Sequence, residues 1–355
     1  MTATMLEAPR VLATPSTNDI VFHKSRMSSA ANSHTSRSPD RGSIQQIAAN
    51  ALQTRSVAID RIEGALFRTF RLQSSSDFYY ILRCRPSVSI RLLRHEEDRL
   101  QNEVQTLQAL RGRSDILVPR LIEYQPTTAV IGSPYFIDGP LRGVLLSDLD
   151  PQLSKQALAN IDRSLGNFVR RLASVCGSQF GSPRIPNNTS APSSSSLSSW
   201  SKCFTNMLES ILRDAEDALI SLPYDFIRDQ IRRHRAFLDQ VTQPKLLLLE
   251  MLGEGHILVD PRTCTITGLL DWSSAIWGDP FLSDCFYQPS AGFAEGFGKL
   301  PNSTTDERIR QYLYILYHAL AAIVRQCYRP SEDGDEFKAR RNLTSALTQL
   351  NSIPR

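Results

Sequence analysis

The chain has 355 residues, of which 41% are hydrophobic and 21% charged, with a net charge of +4, so it can bury a core as about two domains or as one two-lobed body. The charge is spread out with no long Lys/Arg block, which argues against a nucleic-acid partner. No run of 18 apolar residues is present and the N-terminus lacks the charged-then-apolar layout of a secretory signal, so no membrane partner and a cytoplasmic location are expected.

Met1–Gly42 is rich in Ser, Thr, Asn, Pro and Arg without hydrophobic period and is expected to be a disordered tail. Ser43 then caps a predicted helix over Ile44–Leu52. Val57–Ile62, Leu66–Leu72 and Phe78–Arg83 read as strands, with Ser74–Asp77 the turn between the last two. Leu100, Val104, Leu107 and Leu110 recur at helical spacing within Glu97–Leu110, and Glu103 lies on the same broad side. Val118–Ile131 and Tyr135–Ile137 read as extended.

Helices are then predicted over Lys155–Val175, Trp200–Ser221, Asp225–Gln240, Asp306–Tyr328 and Glu336–Leu350, each with an apolar stripe that is core by default. Ile185–Ser199 between the first two is a Ser/Asn/Pro loop, long enough to be mobile. The six cysteines show no C-x-x-C spacing, so neither a zinc site nor a disulfide framework is indicated. No G-x-S-x-G or Walker loop occurs.

The most informative stretch is Leu246–Pro280. Leu246–Leu249 reads as a fully buried strand, which periodicity alone does not separate from a buried helix. After Gly253 and Gly255, Ile257–Val259 runs into the turn Asp260-Pro261, and Thr265–Leu270 runs into Asp271-Trp272. Two short strands joined by a Pro-containing turn make a hairpin that delivers Asp271 to a sheet's end. A carboxylate there suits Mg²⁺, which takes carboxylate oxygens together with substrate phosphates.

This stretch resembles the aminoglycoside phosphotransferase and choline kinase group of protein-kinase-like small-molecule kinases. The group reads H-x-D-L-x-x-G-N-[IV]-[LFV]-V-D, a turn, G-[IV]-[IL]-D-[WF]-E, then a tail like A-x-W-G-D-P. Leu252, Gly255, Ile257–Asp260, Gly268–Trp272, Ala275 and Trp277–Pro280 fall on that pattern in register. Gly181-Ser182-Pro183 is similar to the F-G-x-P of fungal and actinobacterial members.

The resemblance implies an α+β, two-lobed kinase-like fold with an antiparallel-sheet N-lobe over residues 43–143 and a helical C-lobe over 144–355. It implies ATP and Mg²⁺ as cofactors and a small-molecule partner. By the same resemblance Gly64 sits in the phosphate-covering hairpin, and Tyr80-Ile81-Leu82-Arg83 places Arg83 on the nucleotide's α- and β-phosphates with Glu103 pinning it. Asp138 and Gly139 open the inter-lobe hinge, whose backbone binds adenine. Asp271 holds the metal.

Register puts Met251 on the family's catalytic aspartate, which accepts the proton of the attacking hydroxyl, and His256 on its metal-binding asparagine. Methionine accepts no proton, and imidazole suits softer metals than Mg²⁺. Glu250 is one position early, and neighbouring side chains on an extended segment point to opposite faces. Three readings follow: an ATP-dependent kinase of a metabolite hydroxyl or amine; a degenerate pseudokinase acting as a binding or accessory protein, for instance in secondary metabolism; or a site repurposed around Glu250 or His256.

Overall fold

Asp40 precedes the first described helix. Its carboxylate accepts from the Ser43 amide at 3.1 Å and caps helix α1 (Arg41–Ala51), so the helix takes in Arg41 and Gly42, the last two residues of the segment read as tail, and Asp40 does the work expected of Ser43. The computed structural model describes residues 39–62, 66–73, 78–149, 153–183, 199–252, 255–298, 300, 304–331 and 334–354. Gly64, the turn at Ser74–Asp77 and most of the Ile185–Ser199 loop lie outside them.

Strands β1 (Ala58–Ile62), β2 (Arg68–Gln73) and β3 (Tyr79–Cys84) follow, then helix α2 (Arg99–Ala109), β4 (Arg120–Gln125) and β5 (Tyr135–Leu141). They form one antiparallel sheet in the order β1-β2-β3-β5-β4. Side chains alternate between its faces. Leu72, Leu82 and Ile137 meet Ile44 and Ala48 of α1 on one side. On the other, Phe136 meets Leu100, Val104 and Leu107 of α2, so the periodic leucines pack as predicted.

The second lobe holds β6 (Val144–Leu145), α3 (Lys155–Leu172), α4 (Trp200–Asp217), α5 (Tyr224–Arg233), α6 (Arg235–Asp239), β7 (Lys245–Leu248), β8 (Ile257–Asp260), β9 (Thr265–Leu269), β10 (Ala275–Gly278), α7 (Ala291–Phe297), α8 (Thr305–Tyr328) and α9 (Glu336–Ser352). The expected hairpin is β8–β9, and β6 joins its outer edge. The leucine run is a strand, β7, paired with β10.

The single helix expected over Asp225–Gln240 is broken at His234, which is buried and turns its Nε2 to donate to the Leu350 carbonyl at 3.0 Å. Helix α7 had no sequence signal, because its two glycines lower helix propensity and it is held by packing on α3. Among the described residues no helix is long and apolar enough to cross a membrane.

The C-lobe core is built around Trp200. Its indole N–H donates to the Tyr314 hydroxyl at 2.9 Å, which in turn donates to Asp279 at 2.7 Å, and Arg310 stands 3.3 Å from the same carboxylate. The ring lies against the backbone of Gly278, where a Cβ would come within 2.5 Å of it. Gly278→Ala is therefore expected to destabilise the protein by about 1–3 kcal/mol through overpacking. The measurement is a lower urea midpoint at unchanged slope.

Candidate functional site between the lobes

Period-2 alternation along β3 puts Ile81 and Arg83 on the face turned toward α2 and the second lobe. Arg83 is almost fully buried and pairs with Glu103 of α2. Its other terminal nitrogen donates to the Leu270 carbonyl at 2.7 Å, and Asp271 lies 3.8 Å away. Glu103 also accepts from the Trp272 amide at 2.9 Å. The three residues singled out from sequence thus meet at one point where the lobes touch. Burial alone would lower the Arg83 pKa, but Glu103 and Asp271 hold its charge. Burial likewise works against an ionised Asp271, yet Arg83 and His256 keep its carboxyl below the usual range.

The segment after β7 departs from the family pattern in a definite way. Met251 is 2% exposed and its thioether packs into the core with Leu248, Ile257 and Trp272. The Met251 and Leu252 amides donate to the two oxygens of Asp284, at 2.9 and 3.3 Å. Burial pushes Asp284 up to about 7 against the pull of those two amides.

Glu250 goes the other way. Arg99 from the start of α2 forks onto both its oxygens at 3.0 and 2.9 Å, and Arg325 from the end of α8 pairs with one of them. Burial would raise the Glu250 pKa, but Arg325 and Arg99 together hold it well below the carboxylate range. A carboxylate so fixed is a structural anion and a poor proton acceptor.

His256 sits in the turn before β8, where its carbonyl accepts from the Leu270 amide at 2.8 Å. With Asp271 it supplies one hard oxygen donor and one imidazole. Among the described residues no three His, Cys, Asp or Glu side chains are grouped to hold a metal. Of the two, the Asp271 carboxylate is the kind of donor that suits Mg²⁺, and the His256 imidazole suits softer metals.

Of the segment expected as the hinge, Asp138–Leu141 belongs to β5, with Asp138 paired on both sides, to Ile81 of β3 and Leu121 of β4, and Arg142 and Gly143 connect β5 to β6. A bulge in β3 sets Tyr80 against Gly139, whose φ of +138° and a Cβ position 2.5 Å from the Tyr80 ring both require glycine. Asp138 is buried with Oδ1 unpartnered, and burial drives its carboxyl well above the usual range. Between this strand and Asp271, Ile81, Leu141, Leu258 and Leu270 close on one another, each no more than 5% exposed.

Sequence reasoning missed Arg99, Arg325 and Asp284. None lies in the Leu246–Pro280 motif region or on an apolar stripe, and nothing in their spacing shows that they converge on it; Asp284, four residues beyond Pro280, is the one a longer motif would have included. Removing the Glu250 charge strands two guanidinium groups. Because the carboxylate is 31% exposed, Glu250→Gln is expected to cost about 2 kcal/mol, less than the 3–5 of a fully buried pair. The folded pKa is depressed, so this contribution is present above the ordinary value of 4.5 and disappears as pH falls through the depressed one. Denaturation of both proteins across that acid range checks it: the gap between them is constant near neutrality and closes in acid.

A sequence profile of the phosphotransferase enzyme family matches residues 59–282. No curated protein sequence matches the chain significantly. Among solved structures, a thermostable mutant of aminoglycoside phosphotransferase APH(4)-Ia superposes with a TM-score of 0.62 at 15% identity, covering 87% of this chain and 100% of that one. A protein named as a fructosamine-3-kinase, from Haemophilus somnus 129PT, gives a TM-score of 0.59 at 15% identity over 87% and 97% of the two chains. The APH(4)-Ia mutant has also been seen in a ternary complex with AMP-PNP and hygromycin B. At such identities the structural likeness establishes the fold, the two-lobed kinase-like architecture described above, and the profile, spanning more than half the chain, establishes the family: the chain belongs to the phosphotransferase enzyme family.

Proposed function

We propose that this protein is a kinase-like binding protein that has lost phosphoryl transfer. The observation that carries the reading is the disposition of the two residues at the base position, with Met251 in the core and Glu250 neutralised by Arg99 and Arg325. Phosphoryl transfer depends mostly on positioning and on neutralising charge, so loss of a base alone, typically worth 10²–10⁴-fold, leaves some rate. Among the described residues the candidate metal donors are also reduced to Asp271 and His256, and the two losses fall on one catalytic unit.

Nucleotide binding is weakened for a separate reason. A base held by the hinge strand, with its phosphates reaching Arg83, would have to occupy the space in which Ile81, Leu141, Leu258 and Leu270 already pack. Arg83 is itself committed to Glu103 and to the Leu270 carbonyl. The charged trio that resembles a nucleotide site then serves as a joint between lobes, and the chain is left to bind a small molecule through its second lobe.

Two measurements test this. ADP release from Mg-ATP, in the presence of hygromycin B or a panel of small alcohols and amines, is expected to equal that of the Asp271→Asn variant; turnover clearly above that variant overturns the proposal. Millimolar Mg-ATP is expected to leave the melting temperature unchanged, since a ligand raises it only by binding the native state. A dose-dependent rise abolished by Asp271→Asn would show that nucleotide binding survives.

A further inference from the structure

The segment leading from β3 into α2 is built into the second lobe. Leu93 is fully buried in the apolar core of α4, α8 and α9. On either side of it, charged groups take partners from the ends of α4 and α8. The Arg94 amide donates to Asp214 at 3.1 Å, and its guanidinium pairs with Asp214 and with Asp217. Both oxygens of Glu96 accept from Arg329, at 2.6 and 2.7 Å, and Arg329 also donates to the Arg91 carbonyl at 2.7 Å. The Arg91 guanidinium stands 3.8 Å from the centre of the Tyr328 ring, whose hydroxyl donates to the Asp214 carbonyl at 3.1 Å. Glu96 and Asp214 are 1% and 2% exposed, so a carboxylate that lost its arginine here would be left buried and uncompensated.

Helix α2 continues the attachment. Arg99 donates to Glu250, Asn102 donates to the Ser273 and Ala275 carbonyls, and Glu103 accepts from the Trp272 amide. Toward the sheet, the polar tie from α2 among the described residues is the Arg83–Glu103 pair. Apolar contact does not decide between the two sides, because Leu100, Val104 and Leu107 lie in one core with Phe136 of the sheet and with Trp272 and Ala275 of the second lobe. Two buried acceptors on the sheet side are left without a partner, Glu103 Oε2 and Asp138 Oδ1, and Asp138 projects from the same face of the sheet as Arg83. A buried polar atom without a partner costs its desolvation, and water entering along this boundary would remove that cost.

We infer that α2 belongs mechanically to the second lobe, fixed there by the strap of residues 91–96, and that the cleft opens between α2 and the five-stranded sheet, where Arg83 is the latch. Arg83 carries the sheet's side of the bonds to Glu103 and to the Leu270 carbonyl, so releasing one side chain frees both. A ligand that entered the cleft would lift the sheet and leave α2 in place. The inference goes beyond the binding-protein reading and does not rest on it.

Nitroxide labels and double electron–electron resonance on the full chain test it. Asn206→Cys on α4 is paired with Gln108→Cys on α2 or with Arg120→Cys on β4, all at exposed positions, after Cys176→Ser, Cys264→Ser and Cys327→Ser remove the thiols that are not buried. When Arg83→Gln is added, the distance from residue 120 to residue 206 is expected to lengthen and broaden by several ångströms, with the distance from residue 108 to residue 206 unchanged. When Arg94→Gln and Arg329→Gln are added together instead, the distance from residue 108 to residue 206 is expected to broaden. Urea below the unfolding midpoint needs no variant at the latch or the strap, and there the sheet's distance from α4 is expected to lengthen ahead of that of α2. Lengthening of both distances together in Arg83→Gln, no lengthening of the sheet's distance in Arg83→Gln that is folded by circular dichroism, an unchanged α2 distance in the folded strap variant, or urea in which the sheet does not move first overturns the proposal.

Discussion

The structure depends on one carboxylate shared by two arginines from different lobes. Glu250 takes Arg99 from the first turn of α2 and Arg325 from the last turns of α8, so the loop that follows β7 is tied at once to the N-lobe helix and to the longest C-lobe helix. Taking three charged groups partly out of water is costly, and the geometry has to be good to offset it. A forked contact from Arg99 and a second arginine on the same group meet that requirement. The consequence for chemistry is direct: an anion stabilised this well is held deprotonated and engaged.

A second joint lies across the same interface. Arg83 joins β3 to α2 through Glu103 and to the second lobe through the Leu270 carbonyl, while Glu103 reaches the Trp272 amide. Asn102, one residue before Glu103, donates to the Ser273 and Ala275 carbonyls at 2.8 and 2.9 Å. α2 therefore bonds to the β9–β10 segment at two successive residues, Asn102 and Glu103. Opening the cleft on the second-lobe side of α2 would break these bonds together with the Glu250 clamp.

Much of this could be read from the sequence, and the parts that could not share a physical cause. Periodicity found α2, α3, α8 and α9 because each buries a single stripe, and the β8–β9 hairpin was legible because a Pro-containing turn separates two apolar runs. The meeting of Arg83, Glu103 and Asp271 was legible only through resemblance, since nothing local relates residues so far apart in the chain. β10 and α7 were invisible because they are stabilised by what they pack on. The partners of Glu250 were invisible because a long arginine side chain at a helix end looks the same in sequence whether it is solvated or clamps a loop. The point at which β5 gives way to the connection at Arg142 was not legible, because extended strand and extended connection have the same local signal.

The chain of contacts through Trp200, Tyr314, Asp279 and Gly278 separates folding from chemistry within what looks like one signature. The tail of the motif is retained because an indole must lie on a bare backbone and an aspartate must accept from a buried phenol, whatever the groove nearby does. A stable second lobe needs that half whatever chemistry the groove does. A lineage can thus surrender its reaction and still carry the mark of its ancestry, which makes Trp277–Pro280 a record of descent and a poor witness to activity.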